Sequence, residues 1–284
     1  GAFSLGLTWS WLCFETAART SEAALMPCFD VAAILRSLPL VSLDEASGAA
    51  PVPSYRDYVT HCAYDEFWRA LNVREDLGRC QVPVFLVGGW YDYYAGETFR
   101  NYQALVERGP AHLRDSHRVL VGPWTHGISG SSVLGELDFG PAAVAEDDAT
   151  FRWLEVMLGG RPASDFQVAP IRLFVMGRNQ WRDEYEWPLA RTCFTRWYLR
   201  AGGRLTPDPP GREPADQYVY DPADPVPTLG GNHSIGPYNP GLYEMARPGP
   251  FDQRPVEERA DVLVYTSDPL DSDLEITGPV TVTL

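Results

Sequence analysis

Val82-Pro-Val-Phe-Leu-Val-Gly-Gly-Trp-Tyr-Asp92 and Arg118-Val-Leu-Val-Gly-Pro-Trp-Thr-His126 decide how this chain folds. Each opens with a short, continuous apolar run rich in β-branched residues and bounded by Pro or Gly. Such runs fit strands buried on both faces of a parallel sheet. Between them, Glu97 to Arg108 places Phe99, Tyr102 and Val106 on one stripe of an amphipathic helix. After them, residues 141–158 predict another helix, with Phe151, Leu154 and Leu158 facing inward and Gly159-Gly160 stopping it. Strand, helix, strand, helix is the pattern of an α/β layer fold.

The pattern differs on both sides of this segment. Residues 1–80 show helical periodicity and no strand signal. Phe3, Leu7, Trp11 and Phe14 share a helical spacing, Ala23 to Leu38 is broken by Pro27 and Pro39, and Tyr58, Cys62, Phe67 and Leu71 lie on one period. From about residue 165, short alternating runs are separated by Pro, Gly and Asp: Ile171–Met176, Cys193–Leu199, Gln217–Tyr220, Asp261–Tyr265 and Leu274–Leu284. Those runs predict an antiparallel sandwich or jelly roll. The division expected is a helical cap (1–80), the C-terminal part of an α/β core (81–164) and a β-sandwich domain (165–284). A Gly/Pro/Asn-rich loop spans Pro222 to Pro255. The opening Gly-Ala-Phe and the closing Val-Thr-Val-Thr-Leu lead us to expect truncation at both ends.

Composition narrows the function. The chain has 284 residues, 45% of them hydrophobic and 12% aromatic, which excludes a disordered polypeptide. A net charge of −15 argues against a nucleic-acid partner and against an anionic membrane surface. No apolar run approaches the roughly 18 residues of a spanning helix. All 23 basic residues are Arg, so no Lys is available as a base or Schiff-base former. The five Cys (13, 28, 62, 80 and 193) show no CxxC spacing and read as buried free thiols in a reducing, cytoplasmic setting. His61, His112, His117 and His233 lack ligand spacing, so neither a metal nor another cofactor is expected. The pairs Asp44-Glu45, Asp65-Glu66 and Asp147-Asp148 read as solvated helix charges.

The chemistry is expected where the two strands end. In α/β folds reactive side chains gather in the crevice at the carboxyl ends of strands. Asp92 follows the first strand and His126 the second, which is the chain order of the acid and base in an α/β-hydrolase triad. Asp92 would hold one imidazole nitrogen, and the other would take a proton from a nucleophile and return it to the leaving group. Trp90 and Trp124 read as packing residues.

Several longer words extend this reading. Gly88-Gly-Trp-Tyr-Asp92, Val121-Gly-Pro-Trp-Thr-His126, Arg172-Leu-Phe-Val-Met-Gly177, Trp181-Arg-Asp-Glu184, Trp187-Pro-Leu189, Tyr220-Asp-Pro-Ala-Asp-Pro-Val-Pro227, Asp252-Gln-Arg-Pro255 and Asp261-Val-Leu-Val-Tyr265 resemble, in order, the cocaine esterase/X-prolyl dipeptidyl-peptidase (CocE/NonD) family. The resemblance implies an α/β-hydrolase core with a helical cap and a jelly-roll domain. It makes Asp92 and His126 the triad acid and base, and it places Trp11 and Tyr94 around the acyl group. It also implies a small ester, amide or short peptide as substrate, and it leaves the oligomeric state open. The sequence departs from the family at one point: no Ser has Gly at both −2 and +2. Gly127-Ile-Ser129-Gly-Ser131 comes nearest, and it follows the His. The nucleophile and oxyanion hole are therefore expected outside this chain, and the chain alone is expected to be inactive. Esterase or acylase action, removal of X-Pro dipeptides, and a non-catalytic binding role on the same fold remain as alternatives.

Overall fold

The computed structural model describes residues 5, 8–13, 30–46, 51–127, 130–144, 147–162, 166, 168–232 and 247–284. The expectations for Phe3, Leu7, Phe14, the run 23–29, Cys28 and His233 fall outside them.

The N-terminal part is helical, as its periodicity predicts. Residues 8–13 are helical. They are followed by α1 (Val31–Leu35), α2 (Leu43–Ala46), α3 (Pro53–Thr60) and α4 (Glu66–Leu71). Trp9, Leu12, Ile34, Leu43, Val52 and Tyr55 form a hydrophobic cluster of their own. Two expectations are corrected here. The single period over Tyr58–Leu71 is two helices, because Asp65 caps α4 by accepting from Phe67 N–H (3.1 Å) and its other carboxylate oxygen meets His61 Nδ1 (2.5 Å). Asp44, expected to be solvated, is fully buried. It accepts from Val52 N–H (2.7 Å) and Arg56 Nε (3.0 Å). Burial pushes its carboxyl upward, yet the Arg56 and Val52 hydrogen bonds hold it below the ordinary carboxylate value.

The sheet that positions the site has four strands: β1 (Phe85–Gly89), β2 (Arg118–Gly122), β5 (Ile171–Val175) and β6 (Gln180–Glu184), in the order β1-β2-β5-β6. A short ribbon, β3 (Val133–Leu134) with β4 (Leu137–Asp138), lies between β2 and β5 in sequence. β1, β2 and β5 run parallel, with Phe85 opposite Arg118 and Val119 opposite Ile171. β6 returns antiparallel through a hairpin in which Gly177 and Asn179 take positive φ. The helix α5 (Ala95–Arg108) crosses from β1 to β2. It lays Phe99 and Tyr102 on Val119, Val121, Ile171 and Leu173. Phe99 stacks on Trp187 (3.8 Å between centroids, 13°). Leu134, Phe139, Ala143 and Phe174 form a further cluster, with Tyr91 and Trp181 against it. β1 is one of the two sheet edges among the described residues, and its Val87 is exposed, so the strand is less covered than its apolar run predicts.

The structure redraws three C-terminal expectations. Ile171–Met176 was expected in a sandwich, but Ile171–Val175 pairs with β2 and completes the mixed sheet. The helix expected over 141–158 is a 3-10 turn (Pro141–Ala143) followed by α6 (Asp147–Met157). Its buried face presents Trp153, which packs on Phe85 (5.6 Å), whereas Phe151, Leu154 and Leu158 are exposed. Of the remaining runs, only Tyr198–Arg200 becomes a strand, β7, paired with β8 (Arg204–Thr206). Thr266 joins β8 by a parallel bridge, and 217–220 and 274–284 form no ladder. A jelly roll is thus not formed among the described residues. Ion pairs tie the C-terminal run down instead: Arg182 donates to both carboxylate oxygens of Glu275 (2.8 and 2.7 Å) and through Nε to Glu184, which also receives Arg191.

Candidate active site

The parallel pairing of β1 and β2 continues past both strand ends. Trp90 N–H donates to Gly122 O (2.9 Å) and Tyr91 N–H donates to Trp124 O (2.9 Å). Such close approach requires glycine. A Cβ on Gly89 would stand 2.0 Å from Trp124 O, and one on Gly122 would stand 2.3 Å from the Trp124 indole. The indoles then pin the two loops, as the packing role expected for Trp90 and Trp124 requires. Trp124 Nε1 donates to Ala143 O (2.6 Å) and Trp90 Nε1 to Phe174 O (2.7 Å). The pinned loops carry Asp92 and His126.

Asp92 and His126 meet. Asp92 is 8% exposed, and its Oδ2 lies 3.2 Å from His126 Nδ1. The other oxygen, Oδ1, accepts from Tyr94 N–H (2.9 Å). The Asp92 backbone is also fixed at both ends, its N–H donating to Gly89 O (3.0 Å) and its carbonyl accepting from Ala95 N–H (3.0 Å). A carboxylate accepting at Nδ1 selects the tautomer protonated there and leaves the Nε2 lone pair for a proton. The His126 side chain is 50% exposed, and among the described residues nothing hydrogen-bonds Nε2.

Tyr94 is 50% exposed and stands edge-on to the imidazole (5.4 Å between centroids, 69°). Trp11 is 39% exposed, and no ring contact joins it to Tyr94 or His126 among the described residues. The structure thus brings Asp92, His126 and Tyr94 together and leaves Trp11 apart. It also adds Tyr93, whose ring lies 5.1 Å from the imidazole at 36° and 4.1 Å from the Tyr94 ring. Adjacency to Asp92 was the signal in the sequence that could have singled it out. Ser129 lies outside the described residues.

A different histidine, His117, is buried and belongs to the scaffold. Its Nδ1 accepts from Val84 N–H (3.2 Å), and burial, with Arg118 adding to it, lowers its pKa below 6.5. The thiol of Cys13 is pushed up to about 12 by burial, with the Asp44 charge adding to it, so it is inert at neutral pH. Cys62 and Cys193 are exposed free thiols, contrary to the burial expected of them. No cluster of three or more His, Cys, Asp or Glu placed to hold a metal occurs among the described residues. No helix among them is long and apolar enough to cross a membrane.

Comparison with known proteins identifies the family. Residues 9–128 match the family described as X-Pro dipeptidyl-peptidase (S15 family), and residues 165–284 match the X-Pro dipeptidyl-peptidase C-terminal non-catalytic domain. That second match begins before β5, so it includes two strands of the mixed sheet. The cocaine esterase of Rhodococcus sp. (strain MB1 Bresler) is 36% identical over 240 residues, which cover 80% of this chain and 39% of that protein. A putative serine esterase of Mycobacterium bovis is 29% identical over 221 residues, covering 75% of this chain and 32% of its own. The crystal structure of an aminopeptidase from a marine sediment archaeon, Thaumarchaeota archaeon, superposes with a TM-score of 0.64 at 25% identity, covering 84% of this chain and 39% of that one. The chain therefore spans well under half the length of these relatives, and the fold, the strand-end words and the two consecutive matches place it in the cocaine esterase/X-prolyl dipeptidyl-peptidase (S15) family.

Proposed function

We propose that this chain supplies the acid and base of a serine hydrolase that cleaves ester or amide bonds through an acyl-serine. The nucleophile lies on polypeptide outside these 284 residues. The observation that carries the reading is the 3.2 Å contact of Asp92 Oδ2 with His126 Nδ1 at two adjacent strand ends. In this reading Nε2 takes the serine proton as the hydroxyl attacks the acyl carbon. It then gives that proton to the leaving alcohol or amine. Water repeats the sequence on the acyl-serine and releases the acid. Asp92 stays ionised throughout and steadies the imidazolium.

Residues 1–80 would form a cap, 81–164 the end of the catalytic core, and 165–284 a second domain whose first two strands complete the core sheet. Tyr94 would wall the acyl side of the cleft beside His126, and the same role for Trp11 rests on the family resemblance alone. Exposed, unpaired Cys62 and Cys193 suit a reducing compartment such as the cytoplasm. Ester hydrolysis is favoured by the 36% identity to a cocaine esterase. X-Pro dipeptide removal is the second reading, favoured by the family that residues 9–128 match.

The test compares two polypeptides. The 284-residue chain alone is expected to show no burst with a p-nitrophenyl ester and no mass adduct with a serine-directed phosphonate. The protein extended through a Gly-x-Ser-x-Gly elbow is expected to show both, and Asp92→Asn in it to lower kcat by up to about ten-thousand-fold. An adduct on the short chain, or an Asp92→Asn variant with more than about a tenth of the activity, would overturn the assignment. Assaying Gly-Pro-p-nitroanilide beside the ester separates peptidase from esterase.

A further inference from the structure

We propose that Tyr93 is a positioning residue that holds the His126 imidazole in its working orientation. The inference rests on the serine-hydrolase reading above. Among the described residues His126 makes one side-chain hydrogen bond, at Nδ1, and its 3.2 Å length is at the long end of the ordinary range. A single bond of that kind fixes one atom of the ring and leaves the ring plane free to swing about it. Half exposure means that packing from the rest of the fold does little to stop the swing. The two tyrosine rings are the aromatic contacts His126 makes among the described residues.

The two rings meet the imidazole differently. Tyr94 is edge-on at 69°, while Tyr93 lies across it at 36° and is the more buried of the pair. Tyr93 also sits on the most constrained backbone of the site. It lies between Asp92, whose N–H and carbonyl are both bonded, and Tyr94, whose N–H is tied to the Asp92 carboxylate. The ring is flanked by Tyr94, whose centroid lies 4.1 Å away. One rigid turn therefore delivers both the carboxylate that grips Nδ1 and the aromatic face that sets the ring plane.

The experiment uses the full-length hydrolase with 13C at histidine Cε1, the His126 signal being assigned by its loss in His126→Gln. Tyr93→Ala is expected to lower kcat about tenfold to a hundredfold, the cost of letting a reacting group drift by a fraction of an ångström to 1 Å. KM should stay within about twofold, since no substrate contact is removed. Tyr93→Phe should recover most of the loss, because the ring makes the contact. The His126 Cε1–H signal should move or broaden in Tyr93→Ala and stay near its wild-type position in Tyr93→Phe. If Tyr93→Ala does not fold, Tyr93→Leu keeps the volume without the flat face, and the same losses are expected of it. Wild-type kcat with an unmoved His126 signal in the Ala or Leu variant would overturn the proposal, and so would a loss that Phe does not rescue. Failure of the hydrolase reading itself would appear separately, as full activity in His126→Gln and Asp92→Asn.

Discussion

Replacing Gly89 by Ala tests the whole construction of the site with one methyl group. That methyl would lie 2.0 Å from the Trp124 carbonyl oxygen, 2.5 Å from its carbon and 3.1 Å from its Cα. All three are backbone atoms, so no side chain can swing aside to make room. The loop carrying His126 must retreat by about 1 Å from the loop carrying Asp92. The Tyr91 N–H to Trp124 O bond, 2.9 Å in the native chain, is then lost. Leaving that partly buried donor unpaired costs about 1–3 kcal/mol. Overpacking adds about 1–3 kcal/mol. The variant should therefore melt several degrees below the wild type. The contact of Asp92 with His126, already 3.2 Å, would lengthen beyond hydrogen-bond range. A displacement of that size predicts a kcat loss of about a hundredfold. Gly96→Ala is the control: its Cβ meets nothing within 4 Å on α5, and Ala there should stabilise by about 0.5–1 kcal/mol. Thermal melts and p-nitrophenyl ester kinetics on both variants in the full-length hydrolase decide the matter. A Gly89→Ala protein with wild-type Tm and kcat would refute the claim that the two loops are held in backbone contact.

Other perturbations follow from the same geometry. Tyr94→Ala should raise KM for a benzoyl ester more than for an acetyl ester, by about 1–3 kcal/mol of lost apolar contact; equal changes for both esters would remove the residue from the acyl site. Folded His117 sits below 6.5, so its contribution is complete above that pH and declines as the pH falls below it. A His117→Gln variant should accordingly show a flatter Tm-versus-pH curve between about pH 7 and 5, and an unchanged slope would count against a buried neutral His117. Arg182→Met removes both hydrogen bonds to Glu275 while leaving Arg191 on Glu184. The change should cost up to about 1 kcal/mol and expose residues 274–284 to limited proteolysis, whereas an unaltered cleavage rate would show that this ion pair does not hold the segment.

The sequence alone determined the parts of this protein that depend on neighbours in the chain. Arg118–Gly122 is a strand because its apolar run has no polar side to turn outward, and α5 forms where Phe99 and Tyr102 repeat at helical spacing. Asp92 and His126 were legible because strand ends in an α/β layer are where side chains emerge into a crevice. What only the tertiary structure decided depends on partners distant in sequence. Alternation in Ile171–Val175 signals a strand but cannot say which sheet receives it, and the ladder to β2 settles that. Asp44 reads as a surface charge until Arg56, twelve residues on, folds back to neutralise it in the core. On α6, Phe151, Leu154 and Leu158 form as good an apolar stripe as any, yet Trp153 is buried because Phe85 of the sheet offers it a surface. Tyr93 gains its place over His126 only when Gly89 lets the two loops touch. Local pattern records which groups must leave water; the pairing that buries each one is chosen by shape and hydrogen bonding between segments that meet only after folding.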